Sequence, residues 1–228
     1  MSDASSSDET APVSGREQEI KLELASESAR DALIAALPPA RTVKEQFNHY
    51  YDFPDQRLRA AGVLLRLRRE RSGETERARI TVKRGSVRDG AGLFDSAETE
   101  ADVPLERAAA VIDGGEPFVS LGGPIIEELS RHFGDLAPLS RWGTLENRRS
   151  VHPLPGLETL ELEIDRASYP DGSILCEVEC ESTDPEATRR VVVALLEGIP
   201  VEFTPSTMSK SERLAHCRPP ASGGKEPS

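Results

Sequence analysis

Glu17, Glu19 and Lys21 stand at alternate positions in the segment Glu-Gln-Glu-Ile-Lys-Leu-Glu-Leu, and Ile20, Leu22 and Leu24 take the other parity. A strand sends successive side chains to opposite faces, so this one carries an ionic face and an apolar face. The pattern recurs. Arg66 and Arg68 place two cations on one face of Leu-Leu-Arg-Leu-Arg, and Glu177, Glu179 and Glu181 place three anions on one face of Cys-Glu-Val-Glu-Cys-Glu. A solvated sheet face also alternates charged with apolar residues, but it usually mixes the two signs. Rows nearly pure in sign repel along their own length and need opposite charge set against them. A closed β-barrel with a polar lumen meets that need, because alternate residues of every strand converge on its interior.

The chain has 228 residues, enough for one substantial core, and a formal net charge of -12. That charge argues against nucleic acid or an anionic membrane as partner, since both call for a net basic footprint. An anionic ligand must be captured locally, by clustered bases or through bound cations. No apolar run of about 18 residues is present, and the N-terminus lacks the order of a secretory signal. Residues 1–15, rich in Ser and acid, are read as a disordered tail, 16–216 as one domain and 217–228 as a second tail. Cys176 and Cys180 lie roughly 13 Å apart along a strand, too far to bridge, and share an apolar face with Val178. They read as small core residues of a reduced compartment; Cys217 completes the set, and no zinc spacing links cysteines to histidines. The expectation is a cytoplasmic monomer.

Strands are predicted over 17–24, 46–53, 63–70, 77–84, 96–103, 141–151, 158–168 and 173–181, with a hairpin at Ser72-Gly73 and a turn at Tyr169-Pro-Asp-Gly-Ser173. Helices are predicted over 26–37, capped by Ser26 and stopped by Pro38-Pro39, then in two pieces over 105–133, over 184–197 and over 206–216. Gly85, Gly90 and Gly92 are assigned to a flexible connector rather than a phosphate cradle.

The charged rows divide the chemistry in two. Glu17, Glu19, Glu163, Glu177 and Glu179 offer hard oxygens suited to Mg²⁺ or Mn²⁺. Lys21, Arg66, Arg68, Lys83, Arg149 and Lys210 suit phosphate oxygens, the arginines bidentately. Glu161, Asp165 and Glu181 share the charged parity and rank second. No Ser, Cys or His stands in a convincing triad context.

Glu17-x-Glu19-x-Lys21 resembles the ExExK signature of the CYTH superfamily, the triphosphate tunnel metalloenzymes. Further blocks follow in family order: Tyr50-Tyr51-Asp52-Phe53-Pro54, Leu65-Arg66-Leu67-Arg68, Val82-Lys83, Asn147-Arg148-Arg149-Ser150, Leu162-Glu163-Ile164-Asp165, Glu177-Val178-Glu179 and Met208-Ser-Lys210. The likeness spans roughly residues 16–216 and is nearest to plant-type inorganic tripolyphosphatases and thiamine triphosphatases. It implies an α+β fold built on a closed eight-stranded antiparallel tunnel with peripheral helices. It also implies metal on Glu17, Glu19, Glu163, Glu177 and Glu179, a polyphosphate substrate on Lys21, Arg66, Arg68, Lys83, Arg149 and Lys210, and catalytic roles for Glu17, Glu19 and Lys210. The expected activity is Mg²⁺- or Mn²⁺-dependent hydrolysis of the terminal anhydride of tripolyphosphate, thiamine triphosphate or a nucleotide. The alternatives are a class IV-type adenylate cyclase and a non-catalytic polyphosphate-binding module.

Overall fold

The computed structural model describes residues 11–217, so the predicted tail residues 1–10 and 218–228 lie outside the described residues. Nine strands are present among them: β1 (Val13–Leu24), β2 (Thr42–Asp52), β3 (Val63–Ser72), β4 (Thr75–Arg88), β5 (Leu93–Val103), β6 (Ser140–Leu154), β7 (Leu157–Ser168), β8 (Ile174–Glu181) and β9 (Phe203–Pro205). Six α-helices accompany them: α1 (Glu27–Ala36), α2 (Arg57–Ala60), α3 (Leu105–Ile112), α4 (Gly123–Phe133), α5 (Pro185–Glu197) and α6 (Lys210–His216), with a 3₁₀ turn at Phe118–Leu121. Val13–Gly15, expected in the tail, open β1. Gly85 lies within β4, where the register with β5 shifts between Arg84 and Val87. Ser206–Ser209 precede the last helix rather than belonging to it, because the capping box sits at Ser209 and Glu212.

The strand order β5-β4-β3-β2-β6-β7-β8-β1 returns on itself through antiparallel pairing of β1 with β5, which runs from Val13↔Glu100 to Ile20↔Leu93. The result is a closed eight-stranded barrel. Its outward apolar residues are covered in two places. Leu65, Leu67, Ile80 and Val82 of β3 and β4 pack beneath α3, the 3₁₀ turn and α4, whose Ile125, Ile126 and Leu129 are buried. Ile20, Leu22, Ile164 and Val178 of β1, β7 and β8 pack with Leu33 of α1 and with Val192 and Leu196 of α5; Cys176 and Cys180 join this core as expected, and all three cysteines are free. A smaller cluster of Tyr50, Leu145, Tyr169, Leu175 and Leu214 seats α6 across one end of the barrel. No helix of the described residues is long and apolar enough to cross a membrane.

One residue of β1 is held from three sides. Lys21 is register partner of Glu179 on β8, and on its other edge β1 changes neighbours from β5 to β9. At that change the Lys21 amide donates to the Gly92 carbonyl at 2.7 Å, and the Lys21 carbonyl accepts from the Ser206 amide at 3.0 Å. Gly92 has a φ of +91°, and a Cβ there would stand 2.5 Å from the Lys21 carbonyl oxygen. Gly92→Ala is therefore expected to destabilise the fold by about 1–3 kcal/mol through backbone strain and this clash, read as a lowered melting temperature. Gly90→Ala also meets a positive φ but no neighbour within 4 Å, and is expected to lower it less.

Candidate functional site

Alternate residues of the eight strands line a tunnel of about 1170 Å³. The expected cations are all on its wall, and the opposite charge that their rows require comes from neighbouring strands. Lys21 meets Glu179 at 2.6 Å and Glu19 at 2.9 Å. Lys83 on β4 meets Glu98 on β5 at 2.6 Å and contacts Glu17. Arg149 on β6 meets Asp165 at 2.6 Å and contacts Glu163 and Glu179. Lys210, the first residue of α6, meets Glu179 at 2.7 Å and Asp165 at 2.9 Å and contacts Glu177. Arg66 donates to Thr81 Oγ1 at 3.0 Å and lies 3.5 Å from Glu100, leaving its buried Nε without a partner.

Arg68 differs from the other five. It donates to Asn48 Oδ1 at 2.7 Å and, among the described residues, has no carboxylate within salt-bridge distance. Burial, with Arg66 and Arg149 close by, pushes its guanidinium down to about 10. A half-buried cation flanked by like charge is costly unless an anion joins it. The elements explain the placement: Leu65 and Leu67 point outward into the core under α3 and α4, which forces Arg66 and Arg68 inward.

The carboxylates are less evenly placed. Glu17, Glu19, Glu163 and Glu179 line the tunnel, whereas Glu177 and Asp165 are 0 % exposed beneath Lys210 and are not part of the tunnel wall. Burial pushes Glu177 up to about 7 against the pull of Lys210, with Glu179 adding to the rise. Burial would also raise Asp165, but Arg149 and Lys210 outweigh it and hold it down to about 2. Among the tunnel carboxylates that escaped the sequence reasoning as site residues are Glu98 and Glu100 of β5. Burial and a hydrogen bond with Glu17 push Glu98 up to about 8, while Glu17 sits at about 2 because Lys83 and Glu98 outweigh its burial. Their signal was the in-phase parity of Glu98, Glu100 and Asp102.

Among the described residues no group of three or more carboxylate, imidazole or thiolate donors stands close enough to hold a metal ion, since Lys21, Lys83 and Arg149 engage the candidate oxygens. The donor set nonetheless fits a hard divalent cation. Glu19 is register neighbour of Glu181 and Glu163 of Glu179, so like charges face each other across adjacent strands. Burial and then Glu17, Glu19 and Glu163 raise the Glu181 carboxyl. Such crowding of carboxylates is relieved by a cation.

A model of the CYTH domain family matches residues 15–203. Among solved structures, a Hippeastrum protein described as a candidate adenylyl cyclase with a dominant triphosphatase activity superposes with a TM-score of 0.80 at 24% identity, over 88% of this chain and 95% of that one. A candidate adenylate cyclase from Bacillus halodurans gives a TM-score of 0.63 at 25% identity, over 87% and 98%. A protein from Pyrococcus horikoshii gives 0.60 at 14%, over 88% and 99%. No curated protein matches the chain in sequence.

The paired interior has a pH signature. Asp165 titrates in the folded state below its ordinary range, so its pairing stabilises the fold above about pH 4 and is lost as pH falls through about 2. Melting temperatures measured between about pH 2 and pH 5 should fall with acid. In Asp165→Asn the slope should be shallower by up to one bound proton and the melting temperature at neutral pH lower.

Proposed function

The chain belongs to the CYTH domain family, and from that membership we propose that it is a divalent-metal-dependent hydrolase of the terminal phosphoanhydride of short triphosphates. The observation that carries this reading is Arg68, a half-buried guanidinium that among the described residues lacks a carboxylate, beside Arg66 with its unpartnered Nε and on the same tunnel wall as Arg149. Three guanidiniums so placed match the oxygens of a phosphate chain. The Hippeastrum neighbour, described as having a dominant triphosphatase activity, supports the same direction.

Glu17, Glu19, Glu163 and Glu179, with Glu181 at the rim, are the residues that would hold Mg²⁺ or Mn²⁺. The ion would supply Lewis-acid neutralisation of the phosphate charge. Lys21, Lys83 and Arg149, now engaged with those carboxylates, then turn to phosphate oxygens alongside Arg66 and Arg68. Water adds to the terminal phosphorus as the bridging P–O bond breaks, giving orthophosphate and a diphosphate, and the fixed cations stabilise the charge on the departing oxygen. Glu17 is ionised at neutral pH and available to orient that water. Lys210 is held well above its ordinary range because Asp165, Glu177 and Glu179 outweigh its burial, so it remains an ammonium and contributes charge rather than accepting a proton.

A second reading, cyclisation of ATP to cyclic AMP and pyrophosphate, is favoured by the description of the Bacillus halodurans neighbour as a candidate adenylate cyclase. Product analysis separates the two: orthophosphate from tripolyphosphate supports the hydrolase, whereas cyclic AMP with pyrophosphate from ATP supports the cyclase and overturns the first reading. Chelation is expected to abolish turnover and Mg²⁺ or Mn²⁺ to restore it. Glu19→Ala, Lys21→Ala and Arg68→Ala are each expected to lower kcat/KM by roughly 100-fold or more, measured as orthophosphate release.

A further inference from the structure

Lys210 is the one member of the basic set that no strand carries, so something other than the pleat must fix it. The β4–β5 hairpin reaches it. Arg77, Arg79 and Lys83, odd-numbered residues of β4, face the tunnel. Between Arg84 and Val87 the register with β5 then shifts by one residue, with Gly85 at a φ of +63°. A one-residue shift exchanges the two faces of a strand. Arg88, now register partner of the tunnel-lining Phe94, therefore turns to the tunnel side instead of the exterior. There its guanidinium donates to the two Glu212 carboxylate oxygens at 2.7 and 2.8 Å and to the Thr207 carbonyl at 2.8 Å. Thr207 precedes Lys210 by three positions and Glu212 follows it by two, so one guanidinium grips the chain on both sides of the lysine.

The same hairpin sets Lys21. Its Gly92 carbonyl accepts from the Lys21 amide, and its Phe94 ring lies 5.4 Å from the Lys21 ammonium. Lys21 and Lys210 converge on one oxygen, Glu179 Oε1, at 2.6 and 2.7 Å. The turn between is braced by Asp89, which accepts from the Ala91 and Leu93 amides at 2.7 and 3.0 Å. The Arg88 and Glu212 side chains are 41% and 42% exposed, and an ion pair so open to water adds little to stability. A lysine ammonium rides on a flexible four-carbon stem, so its place is narrowed only when its backbone is held. We propose that Arg88 is a positioning residue for Lys210: through Glu212 and Thr207 it fixes the first turn of α6, and with it the ammonium over Glu179. The reaction this placement serves rests on the triphosphatase reading; the placement itself does not.

A double-mutant cycle on orthophosphate release from tripolyphosphate with Mg²⁺ tests it. Arg88→Ala is expected to lower kcat/KM about 10-fold. Glu212→Gln, which keeps the capping box but not the charge gripped by Arg88, moves it in the same direction. On a Lys210→Ala background neither change lowers it further, because both act through the missing ammonium. An undiminished loss on that background overturns the proposal, as does a loss in Arg88→Ala with none in Glu212→Gln, the pattern of an arginine that itself touches phosphate. If the wild type hydrolyses no triphosphate, the triphosphatase reading fails by itself and amide hydrogen exchange decides the placement. Faster exchange over residues 213–217 in Arg88→Ala, at a melting temperature close to that of the wild type, supports it; unchanged exchange there overturns it.

Discussion

Pairing of β1 with β5 along eight residue pairs turns a sheet into a cylinder, and every feature of the site depends on it. Once the edges are joined, the charged parity of each strand has nowhere to go but inward. Ion pairs removed from water return little or no net stability, because desolvation offsets their attraction, yet breaking one partner is expensive. The interior lattice of Lys21, Lys83, Arg149 and Lys210 with their carboxylates is thus a poor way to hold a barrel together. The two outer apolar layers beneath α3, α4, α1 and α5 do that work. Under the proposed function, the lattice keeps most of the binding groups paired until a polyanion and a cation enter together.

Much of this architecture was readable from alternation. Ionic and apolar parity located eight strands, Ser26 and Pro38-Pro39 bounded α1, and the same parity pointed the basic residues inward. What escaped was set by tertiary contacts. β9 is three residues long and shows no alternation, and it exists because it continues the edge of β1 where β5 ends. Glu163, Asp165, Glu177 and Glu179 are indistinguishable by parity, yet docking of α6 closes over Asp165 and Glu177 and leaves the other two facing the tunnel. Arg66 and Arg68 look alike in sequence, and only Thr81 on the adjacent β4 and Glu100 on the next strand, β5, separate the engaged guanidinium from the one without a carboxylate. Glu98 and Glu100 carried the correct parity but belonged to no recognised motif.

The site also joins parts of the chain that differ in structural character. Arg66, Arg68 and Arg149 sit on continuous strands, whose geometry fixes them to the pleat. Lys210 instead arrives on a seven-residue helix held by its capping box, by Leu214 in the small end cluster and by the Arg88–Glu212 pair at 2.7 Å. Its ammonium is positioned by a docked element rather than by the barrel, and it is the one cation of the set that can leave without opening a strand ladder.

The partnership of Lys21 with Glu179 spans 158 positions. During synthesis β1 emerges long before β8, and one of its edges must wait for most of the remaining chain. Folding of so non-local a topology is slow, and a strand left unpaired invites adhesion to other chains. Glu17, Glu19 and Lys21 blunt that hazard, because a row of ions on an open edge resists stacking against a neighbour. The residues suited to hold a triphosphate in the finished molecule therefore serve first as gatekeepers of the nascent one.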